Sequence, residues 1–530
     1  MPSSVFLDFF NYFYEVHQPS VNTKTWVLGS FILLKFLLQY FLISPVYELH
    51  RDEFLYLDQG HHLAWGYLSV PPATSWFSSI IIFLGNAVFW VKFIPALFGA
   101  LTMLLVWKAI EELKGDLFAL TLGATCVLFS SLLRINTLYQ PNSLDILCWT
   151  TLYFILIKYF NTQNAKFLYY AAVIFALGFL NKYNIVFLVL GIFPALLLTP
   201  QRKILLRKDL YYAIALALLL ISPNLIWQFF NDLPVVWHMK ELAEKHLVHV
   251  DRLDFLKSQF LFFAGSLVVI VSGLYALYFH PPYHKFKVYF WSFFFTLLLF
   301  LSLKAKDYYA IGLYPIYISF GSVYLSGLLK NNWKYSLRPI IIMIPLLVFI
   351  PFYNISFPNK TPAYILSQAD SYKKSGMLRW EDGQNHDLPQ DFADMLGWKE
   401  LASKVDAIYE KIASTSSYQT LVLCDNYGQA GAINYYSKHS IKAVSFHADY
   451  INWFDFDQQY KHLIRGKTFE EKDSELEKTV PYFSNGELSD SISNPYAREF
   501  KTMIYTFRDA KIDVNKRIKQ EIETIKNKKK

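Results

Sequence analysis

The chain has 530 residues, of which 54% are hydrophobic and only 17% are charged, with a formal net charge of +8 at pH 7. Soluble globular chains are about a quarter charged, and disordered or collagen-like chains need far more proline, glycine or charge, so this composition excludes those classes. Because the apolar residues are gathered into long runs, the chain is predicted to be an integral membrane protein. In such a protein the basic residues first report topology, and nucleic acid is not expected as a partner.

Apolar runs alternate with polar connections along the first two thirds of the chain. The first run has no basic segment before it and no small-residue cleavage site nearby, so we interpret it as an uncleaved span rather than a signal peptide. Since about 20 apolar residues span a bilayer, about eleven transmembrane helices are predicted. The predicted spans lie near 25–44, 90–107, 116–133, 143–160, 166–180, 184–199, 210–229, 257–279, 288–303, 309–329 and 339–357.

Lysine and arginine concentrate in every second connection between these spans. The basic connections carry Lys108 and Lys114; Lys158 and Lys166; Arg202, Lys203, Arg207 and Lys208; Lys285 and Lys287; and Lys330, Lys334 and Arg338. Because cytoplasmic loops are the basic ones, this pattern predicts a cytoplasmic N-terminus and an outer location for the long 45–89 segment, the first outer loop. With an odd number of spans, everything after about residue 358 also lies on the outer side.

The sequence changes character after the last predicted span. From 358 to 530 no run is long or apolar enough to cross a membrane, and charged residues become common. Apolar residues at helical spacing predict a helix over 392–412, followed by a short buried strand at 420–424 and a second helix at 430–436. The chain is therefore predicted to be an α-helical integral membrane protein in its transmembrane domain, 1–357, with a C-terminal extracytoplasmic α/β domain, 358–530.

Two adjacent acids, Asp52 and Glu53, follow the first span in the outer loop. A charge close to a membrane boundary is costly unless it has a partner or a task, so both are candidates for chemistry. Adjacent helical residues point about 100° apart, so one acid can face a substrate while the other orients the loop or a ligand. The alternative is a pair of solvated loop acids near Arg51. An amphipathic stretch and Pro71-Pro72 follow, and they favour an ordered return over the bilayer surface.

Several short motifs lie in order on the outer side of the predicted spans. They are Arg51-Asp52-Glu53 with Tyr56; Gly66-Tyr67 with Pro71-Pro72; Tyr139-Gln-Pro-Asn-Ser-Leu-Asp145; Gly178-Phe-Leu-Asn-Lys182-Tyr183; and Lys304-Ala-Lys-Asp-Tyr308-Tyr309 with Pro315. In these motifs, over roughly 25–357, the chain resembles the multi-spanning (C-type) glycosyltransferases that use polyprenyl-phosphate sugars, including protein O-mannosyltransferases and bacterial aminoarabinose transferases. Gly397-Trp398 and Asn426-Tyr427-Gly428 resemble the outer domain of bacterial members.

The resemblance implies a polyprenyl-phosphate sugar donor whose phosphate lies at the outer membrane surface and whose tail lies between spans, among membrane lipids. It implies transfer to an extracytoplasmic acceptor (protein, lipid or glycan) with inversion, Asp52 acting as general base and Glu53 orienting it or holding a metal. The outer domain has neither a dense glycosylation pattern nor a cysteine pair for a disulfide, which favours a bacterial inner membrane. Undecaprenyl and dolichyl donors both stay open.

A departing phosphate gains negative charge, which preorganised cations and phenols stabilise. The predicted substrate-binding residues are Tyr56, Arg134, Gln140, Asp145, Lys182, Lys304, Lys306, Tyr308 and Tyr309. Lys306 and Arg134 are the preferred cations. The alternative is that the lysines and tyrosines are interface anchors and that Asp145 only stabilises the start of its helix.

Asp58 and His62 are spaced i, i+4 and can share a helix face, which makes them weak candidates for a divalent metal site. His238, His246 and His249 lie in another outer segment. Two ligands do not define a site, and outer-loop histidines are more often solvated or hydrogen-bonded. The sequence therefore assigns no cofactor and leaves a divalent metal open.

Two rival functions remain open from the sequence. A transporter or flippase of a lipid-linked intermediate would use Lys and Arg to guide the phosphate through the membrane. Paired half-repeats in the sequence would favour a transporter, and we find none. A membrane-anchored scaffold would use the outer domain as its working part. Pro71-Pro72 stands where the resemblance to aminoarabinose transferases implies a lysine beside the proline, which argues against lipid A as acceptor.

Overall fold

The computed structural model describes residues 21–245, 251–469 and 475–528, and His246 and His249 lie outside these ranges. The first part of the chain is built from helices. They are α1 (Val21–Phe41), α2 (Arg51–Gln59), α3 (Ala73–Phe83), α4 (Val88–Glu112), α5 (Leu117–Leu128), α6 (Leu132–Ile135), α7 (Pro141–Thr162), α8 (Lys166–Asn181), α9 (Ile185–Leu197), α10 (Lys208–Phe230), α11 (Pro234–Lys245), α12 (Arg252–Phe262), α13 (Leu267–Phe279), α14 (Lys287–Ser302), α15 (Tyr314–Leu328) and α16 (Arg338–Ser356). Short 3₁₀ segments lie at Pro200–Leu206, Ala264–Ser266, Pro281–Phe286, Asp307–Leu313 and Asn332–Leu337.

Within the described ranges, six helical stretches are long and apolar enough to cross a membrane, and up to eight are if two bent pairs each form one span. The six are Val88–Glu112, Pro141–Thr162, Lys208–Phe230, Pro281–Ser302, Asp307–Leu328 and Trp333–Ser356. The bent pairs are Ile185–Leu197 with Pro200–Leu206 (109°) and Arg252–Phe262 with Ala264–Phe279 (66°). The protein is therefore a multi-spanning helical protein, and the count of about eleven spans stays a prediction.

Two of the predicted spans, 116–133 and 166–180, coincide with helices shorter than a bilayer. These helices, α5 and α8, have 12 and 16 residues. At 1.5 Å per residue they extend about 18 and 24 Å, less than the roughly 30 Å of a hydrocarbon core. Asp116 sets the start of α5, because its carboxylate accepts a hydrogen bond from the Ala119 N–H (2.9 Å).

The chain after α16 combines helices with one mixed sheet. Its helices are α17 (Pro362–Ser367), α18 (Ala369–Lys374), α19 (Gln390–Ala393), α20 (Trp398–Ala413), α21 (Tyr427–Tyr436), α22 (Glu475–Thr479) and α23 (Val514–Lys528). Its strands are β1 (Gln419–Cys424), β2 (Val444–Ser445), β3 (Tyr460–Lys467), β4 (Phe483–Ser491) and β5 (Met503–Ala510). In the order β2-β1-β3-β5-β4, β1 runs parallel to β2 and β3, whereas β5 runs antiparallel to β3 and β4.

The predicted helix-strand-helix order is present in the chain after α16, which we call the outer unit after its predicted side of the membrane, with two local differences. The helix predicted over 392–412 is interrupted at Gly397, whose φ of +84° favours glycine. The helix predicted at 430–436 begins earlier, at Tyr427, because the Asn426 side chain accepts a hydrogen bond from the Gln429 N–H (3.1 Å) and caps it.

The outer unit packs directly on α2. Phe54 of α2 is fully buried (0% exposed) against the rings of Trp398 and Tyr436, at centroid distances of 5.8 and 5.7 Å. A Cβ on Gly431 of α21 would lie 2.6 Å from the Phe54 Cβ, so only glycine permits this approach. Glu48 accepts hydrogen bonds from the Trp398 and Lys399 N–H groups (2.8 and 3.0 Å) and so caps α20. The short helix α2 is thereby held by the outer unit.

Candidate active site

The candidate site starts at the N-terminus of α2. His50 is the N-cap residue, and its Nδ1 accepts a hydrogen bond from the Asp52 N–H (3.2 Å). In return Glu53 accepts one from the His50 N–H (2.7 Å), which completes a capping box. Because this arrangement fixes the first turn, the Asp52 carboxylate is held at a helix end whose dipole favours negative charge.

Asp52 has a partly exposed side chain (31%) with a hydrogen bond to each oxygen. The Tyr427 hydroxyl donates to Oδ1 (2.6 Å), and the Gln140 Nε2 donates to Oδ2 (3.2 Å). Burial raises the pKa of the carboxyl, but His50, Arg51 and the Tyr427 hydrogen bond lower it by more, so the pKa of Asp52 lies below its ordinary value. Asp52 is therefore ionised at neutral pH.

Glu53 has a different environment from its neighbour. It is fully buried (0% exposed), and its oxygens accept hydrogen bonds from the Lys92 Nζ (2.6 and 2.7 Å) and from the Tyr139 N–H (2.7 Å), besides the His50 N–H. These contacts hold α2, and with it Asp52, in position, as the expected orienting role requires. A direct part of Glu53 in catalysis and a metal ion at Glu53 stay predictions.

Lys306 is a cation from a different segment that also acts on Asp52. Its Nζ donates to the Glu381 Oε1 (2.7 Å), and its side chain is 22% exposed. Burial lowers the pKa of Lys306, but Glu381, Tyr309 and Asp52 raise it by more, so the ammonium stays charged. Lys306 and Asp52 each favour the charged form of the other.

Lys182 joins this cluster from the end of α8. Its Nζ lies 4.2 Å from the ring centroid of Tyr309 and 5.1 Å from that of Tyr308. It also donates a hydrogen bond to the Asn142 Oδ1 (2.8 Å). The two tyrosine rings meet edge to face at 4.9 Å. Tyr56 interacts electrostatically with Asp52 and Tyr309 and so belongs to the same cluster.

Asp145 adjoins this cluster from a buried position on α7. Its side chain is buried (residue 4% exposed) and accepts hydrogen bonds from the Trp149 Nε1 (3.0 Å) and the Asn184 Nδ2 (2.9 Å). Asn184 also donates to the Tyr309 carbonyl oxygen (2.9 Å). Asp145 thus supports the backbone that carries Tyr309, and its direct contact with substrate stays a prediction.

The two remaining predicted cations lie differently from Lys182 and Lys306. Arg134 donates to the Asp391 Oδ2 (3.1 Å) and to the Thr137 hydroxyl (2.7 Å), so it bridges to the outer unit, and its role toward substrate stays a prediction. Lys304 has a φ of +51° and an exposed side chain, which forms no hydrogen bond or ion pair with the described part of the chain. Its role toward substrate therefore also stays a prediction.

The two weak metal candidates, Asp58 and His62, each contact the outer unit. Asp58 accepts hydrogen bonds from the Tyr450 hydroxyl (2.6 Å) and the Asn434 Nδ2 (2.8 Å), and His62 stacks on Trp453 at 4.4 Å. Among the residues that the structure describes, no group of three or more His, Cys, Asp or Glu side chains is placed to hold a metal ion. Asp58 and His62 instead attach α2 and the following loop to the outer unit.

Sequence reasoning missed three residues of the site. Tyr427 bonds Asp52 directly, Asn142 bonds Lys182, and Glu381 bonds Lys306. Tyr427 and Asn142 stand inside motifs that carry the family resemblance, so their position in those motifs was a usable signal. Glu381 lies in a loop of the outer unit without such a signal.

The cluster combines an ionised carboxylate, two ammonium groups and several phenols. An ionised carboxylate accepts a hydrogen bond from a hydroxyl, while ammonium and phenol groups bind phosphate oxygens. The arrangement can therefore hold a hydroxyl-bearing acceptor next to a phosphate-bearing donor. Its elements define a multi-spanning helical protein with an outer α/β unit that completes a carboxylate and lysine site.

Comparisons with known proteins agree with this class. The family model for dolichyl-phosphate-mannose-protein mannosyltransferases matches residues 69–227. The lipid A galacturonosyltransferase RgtD of Rhizobium johnstonii is 27% identical over 217 residues, which are 39% of this chain and 45% of that protein. The match thus spans about half the length of this curated relative.

The fold is also similar to that of ArnT from Cupriavidus metallidurans. The apo structure of that protein matches with a TM-score of 0.59 at 11% identity, over 92% of this chain and 98% of ArnT. The structure bound to undecaprenyl phosphate gives 0.58 at 10% identity, over 91% and 98%. These findings confirm the resemblance stated from the sequence: the chain is similar to the multi-spanning glycosyltransferases that use polyprenyl-phosphate sugars, and it has the ArnT fold.

Proposed function

We propose that this protein is a membrane glycosyltransferase that moves a sugar from a polyprenyl-phosphate donor to a hydroxyl of an extracytoplasmic acceptor. The observation that carries the proposal is a chain of hydrogen bonds that joins Asp52 through Gln140 (3.2 Å) and Asn142 (3.0 Å) to the Lys182 ammonium (2.8 Å). An anionic base and a cation joined in this way suit the two ends of a displacement reaction. The base faces the acceptor, and the cation faces the phosphate.

In the proposed reaction the acceptor oxygen forms a bond to the anomeric carbon, and the bond from that carbon to the phosphate oxygen breaks. The electron pair leaves with the polyprenyl phosphate, and the acceptor proton passes to Asp52. Attack opposite the leaving group inverts the anomeric carbon. Because its pKa is low, Asp52 is a weak base that acts late, once the hydroxyl has become acidic through bond formation.

Lys306 and Lys182 are proposed to bind the donor phosphate. Charge grows on the phosphate as the sugar leaves, and fixed cations stabilise that charge most where water is limited. Tyr56, Tyr308 and Tyr309 add phenol groups that can donate hydrogen bonds to the phosphate or the sugar. Glu381 forms an ion pair with Lys306 in this structure, and the donor phosphate would replace Glu381 in that pair.

The acceptor is proposed at the level of its class: a protein, lipid or glycan on the outer face of a bacterial inner membrane. The matched family model is named for protein acceptors, and RgtD is named for lipid A. Lipid A, which Pro71-Pro72 disfavours as the acceptor, is therefore tested directly. We also propose the topology read from the basic connections, with about eleven spans, a cytoplasmic N-terminus and the outer domain, 358–530, extracytoplasmic.

The test uses full-length protein in lipid, radiolabelled polyprenyl-phosphate sugars, and protein, lipid A and total membrane extracts as separate acceptors. Label is expected to move to one acceptor fraction, and Asp52→Asn is expected to lower the rate about 100- to 10,000-fold. Asp58→Asn, the same change on the same helix, is the matched control and keeps the rate. Donor binding with no transfer to any fraction would overturn the proposal and favour a transporter.

A further inference from the structure

The Tyr427 side chain reaches Asp52 from the outer unit. Its hydroxyl donates to the Asp52 Oδ1 at 2.6 Å, across 375 residues of sequence. We propose that Tyr427 is a positioning residue, which fixes the Asp52 carboxylate for proton transfer and makes the outer domain part of the active site. This inference rests on the proposed function, because it assigns Tyr427 a task in that reaction.

Tyr427 is held firmly enough for such a task. It is the first residue of α21, whose cap Asn426 is itself fixed by a hydrogen bond to Glu499 (3.0 Å). The Arg51 guanidinium lies 4.6 Å from the centroid of the Tyr427 ring, and the His447 ring lies 5.2 Å away. The same helix contacts α2 through Gly431. Helix α2 and helix α21 therefore pack directly on each other, and the short hydrogen bond between Tyr427 and Asp52 is part of this packing.

The hydrogen bond distinguishes the two oxygens of Asp52. Oδ1 receives the short bond from Tyr427, whereas Oδ2 receives the longer bond from Gln140 (3.2 Å) and lies 3.8 Å from the His50 Nδ1. Oδ2 is therefore the oxygen with capacity for an incoming acceptor hydroxyl. With Oδ1 anchored, rotation of the carboxylate is restricted, so the acceptor proton is transferred to an oxygen whose orientation is fixed.

Tyr427 also favours the ionised form of Asp52, because a donor at 2.6 Å stabilises the charged carboxylate more than the neutral one. The other titratable or charged groups that act on Asp52 come from its own helix, the spans and the outer unit. They are His50, Arg51, Tyr56, Lys306, Tyr308 and Asp394. Replacing Tyr427 by phenylalanine leaves all of these in place and removes one hydroxyl.

The experiment compares full-length wild type, Tyr427→Phe and Tyr435→Phe by the sugar-transfer assay over a range of pH. Tyr435 is the matched control, since it lies on the same helix and its hydroxyl donates to the Asn86 carbonyl oxygen (2.7 Å) instead. For Tyr427→Phe we expect a fall in kcat of about 10- to 100-fold, as for loss of one hydrogen bond to a charged group, with KM for the donor unchanged. We also expect the acid limb of the kcat profile to move to higher pH.

Two outcomes would overturn the inference: a wild-type kcat with an unmoved acid limb in Tyr427→Phe, or equal losses in Tyr427→Phe and Tyr435→Phe without a pH shift. Failure of wild type to transfer any sugar would instead overturn the proposed function. If Tyr427→Phe does not fold, 3-fluorotyrosine is incorporated at position 427 or at position 435 of full-length protein, because it keeps the ring and makes the hydroxyl a stronger donor. Movement of the acid limb to lower pH for position 427 alone supports the inference, and an unmoved limb contradicts it.

Discussion

Replacing Glu53 with glutamine removes one negative charge from the buried contact between α2 and α4. The carboxylate accepts hydrogen bonds from Lys92 and from the N–H groups of Tyr139 and His50, all at 2.6 or 2.7 Å. Glutamine offers one acceptor oxygen, and its amide NH₂ would face one of these donors. The Lys92 ammonium, on a side chain only 22% exposed, would then lack a counter-charge.

The cost follows from this geometry. Breaking a buried ion pair by removing one partner costs about 3–5 kcal/mol. A buried donor left without an acceptor costs about 1–3 kcal/mol more. Because Lys92 keeps some access to solvent, we expect Glu53→Gln to lower the free energy of unfolding by about 3 kcal/mol, at the lower end of the range for a broken buried ion pair. Adding Lys92→Met removes the unpaired ammonium and is expected to restore about 2 kcal/mol of this.

Thermal unfolding in a defined detergent, read out together with sugar transfer at a temperature where each variant is folded, measures both effects. We expect Glu53→Gln to unfold at a clearly lower temperature, with the double variant in between, and transfer by the folded fraction to stay within about tenfold of wild type. A Glu53→Gln protein with wild-type stability and no transfer would refute the reasoning. It would place Glu53 among the catalytic residues.

Three further predictions concern residues around the site. Burial raises the pKa of Asp58 to about 6 from an ordinary 3.8, so its contribution to stability is greatest at low pH and falls as pH rises from 3.8 to 6. In Asp58→Asn the one carbonyl oxygen can accept both hydrogen bonds that Tyr450 and Asn434 now donate to Oδ2. We therefore expect this variant to be more stable than wild type by up to about 3 kcal/mol at pH 7, with no gain at pH 4, as measured by chemical unfolding. Lys306→Met is expected to lower kcat about 100- to 1,000-fold, whereas Lys304→Met leaves it unchanged; equal effects in the transfer assay would instead assign Lys304 a role toward substrate. Phe54→Ala is expected to cost about 3–5 kcal/mol and to increase protease cleavage between the spans and the outer unit, and a wild-type cleavage pattern would argue against the packing role of Phe54.

Much of the fold was predictable because lipid offers no hydrogen-bond partners, so long apolar runs must form helices. The order of the motifs also grouped Asp52, Lys182, Lys306, Tyr308 and Tyr309 on one side, and the structure brings these residues together. Helix ends were harder to predict, because they depend on single caps such as the Asp116 and Asn426 side chains.

Only the tertiary structure separated the environments of two neighbouring charges. Asp52 and Glu53 are adjacent in sequence, yet one meets Gln140 and Tyr427 while the other is buried against Lys92. Side chains one position apart on a helix point to different neighbours, and which neighbours those are depends on how distant segments pack. The sequence by itself therefore determined the membrane class, the order of helices and the residue types of the site. The packing of the outer unit on α2 determined the side-chain orientations and hydrogen-bond partners of the site residues, and the ionisation of Asp52.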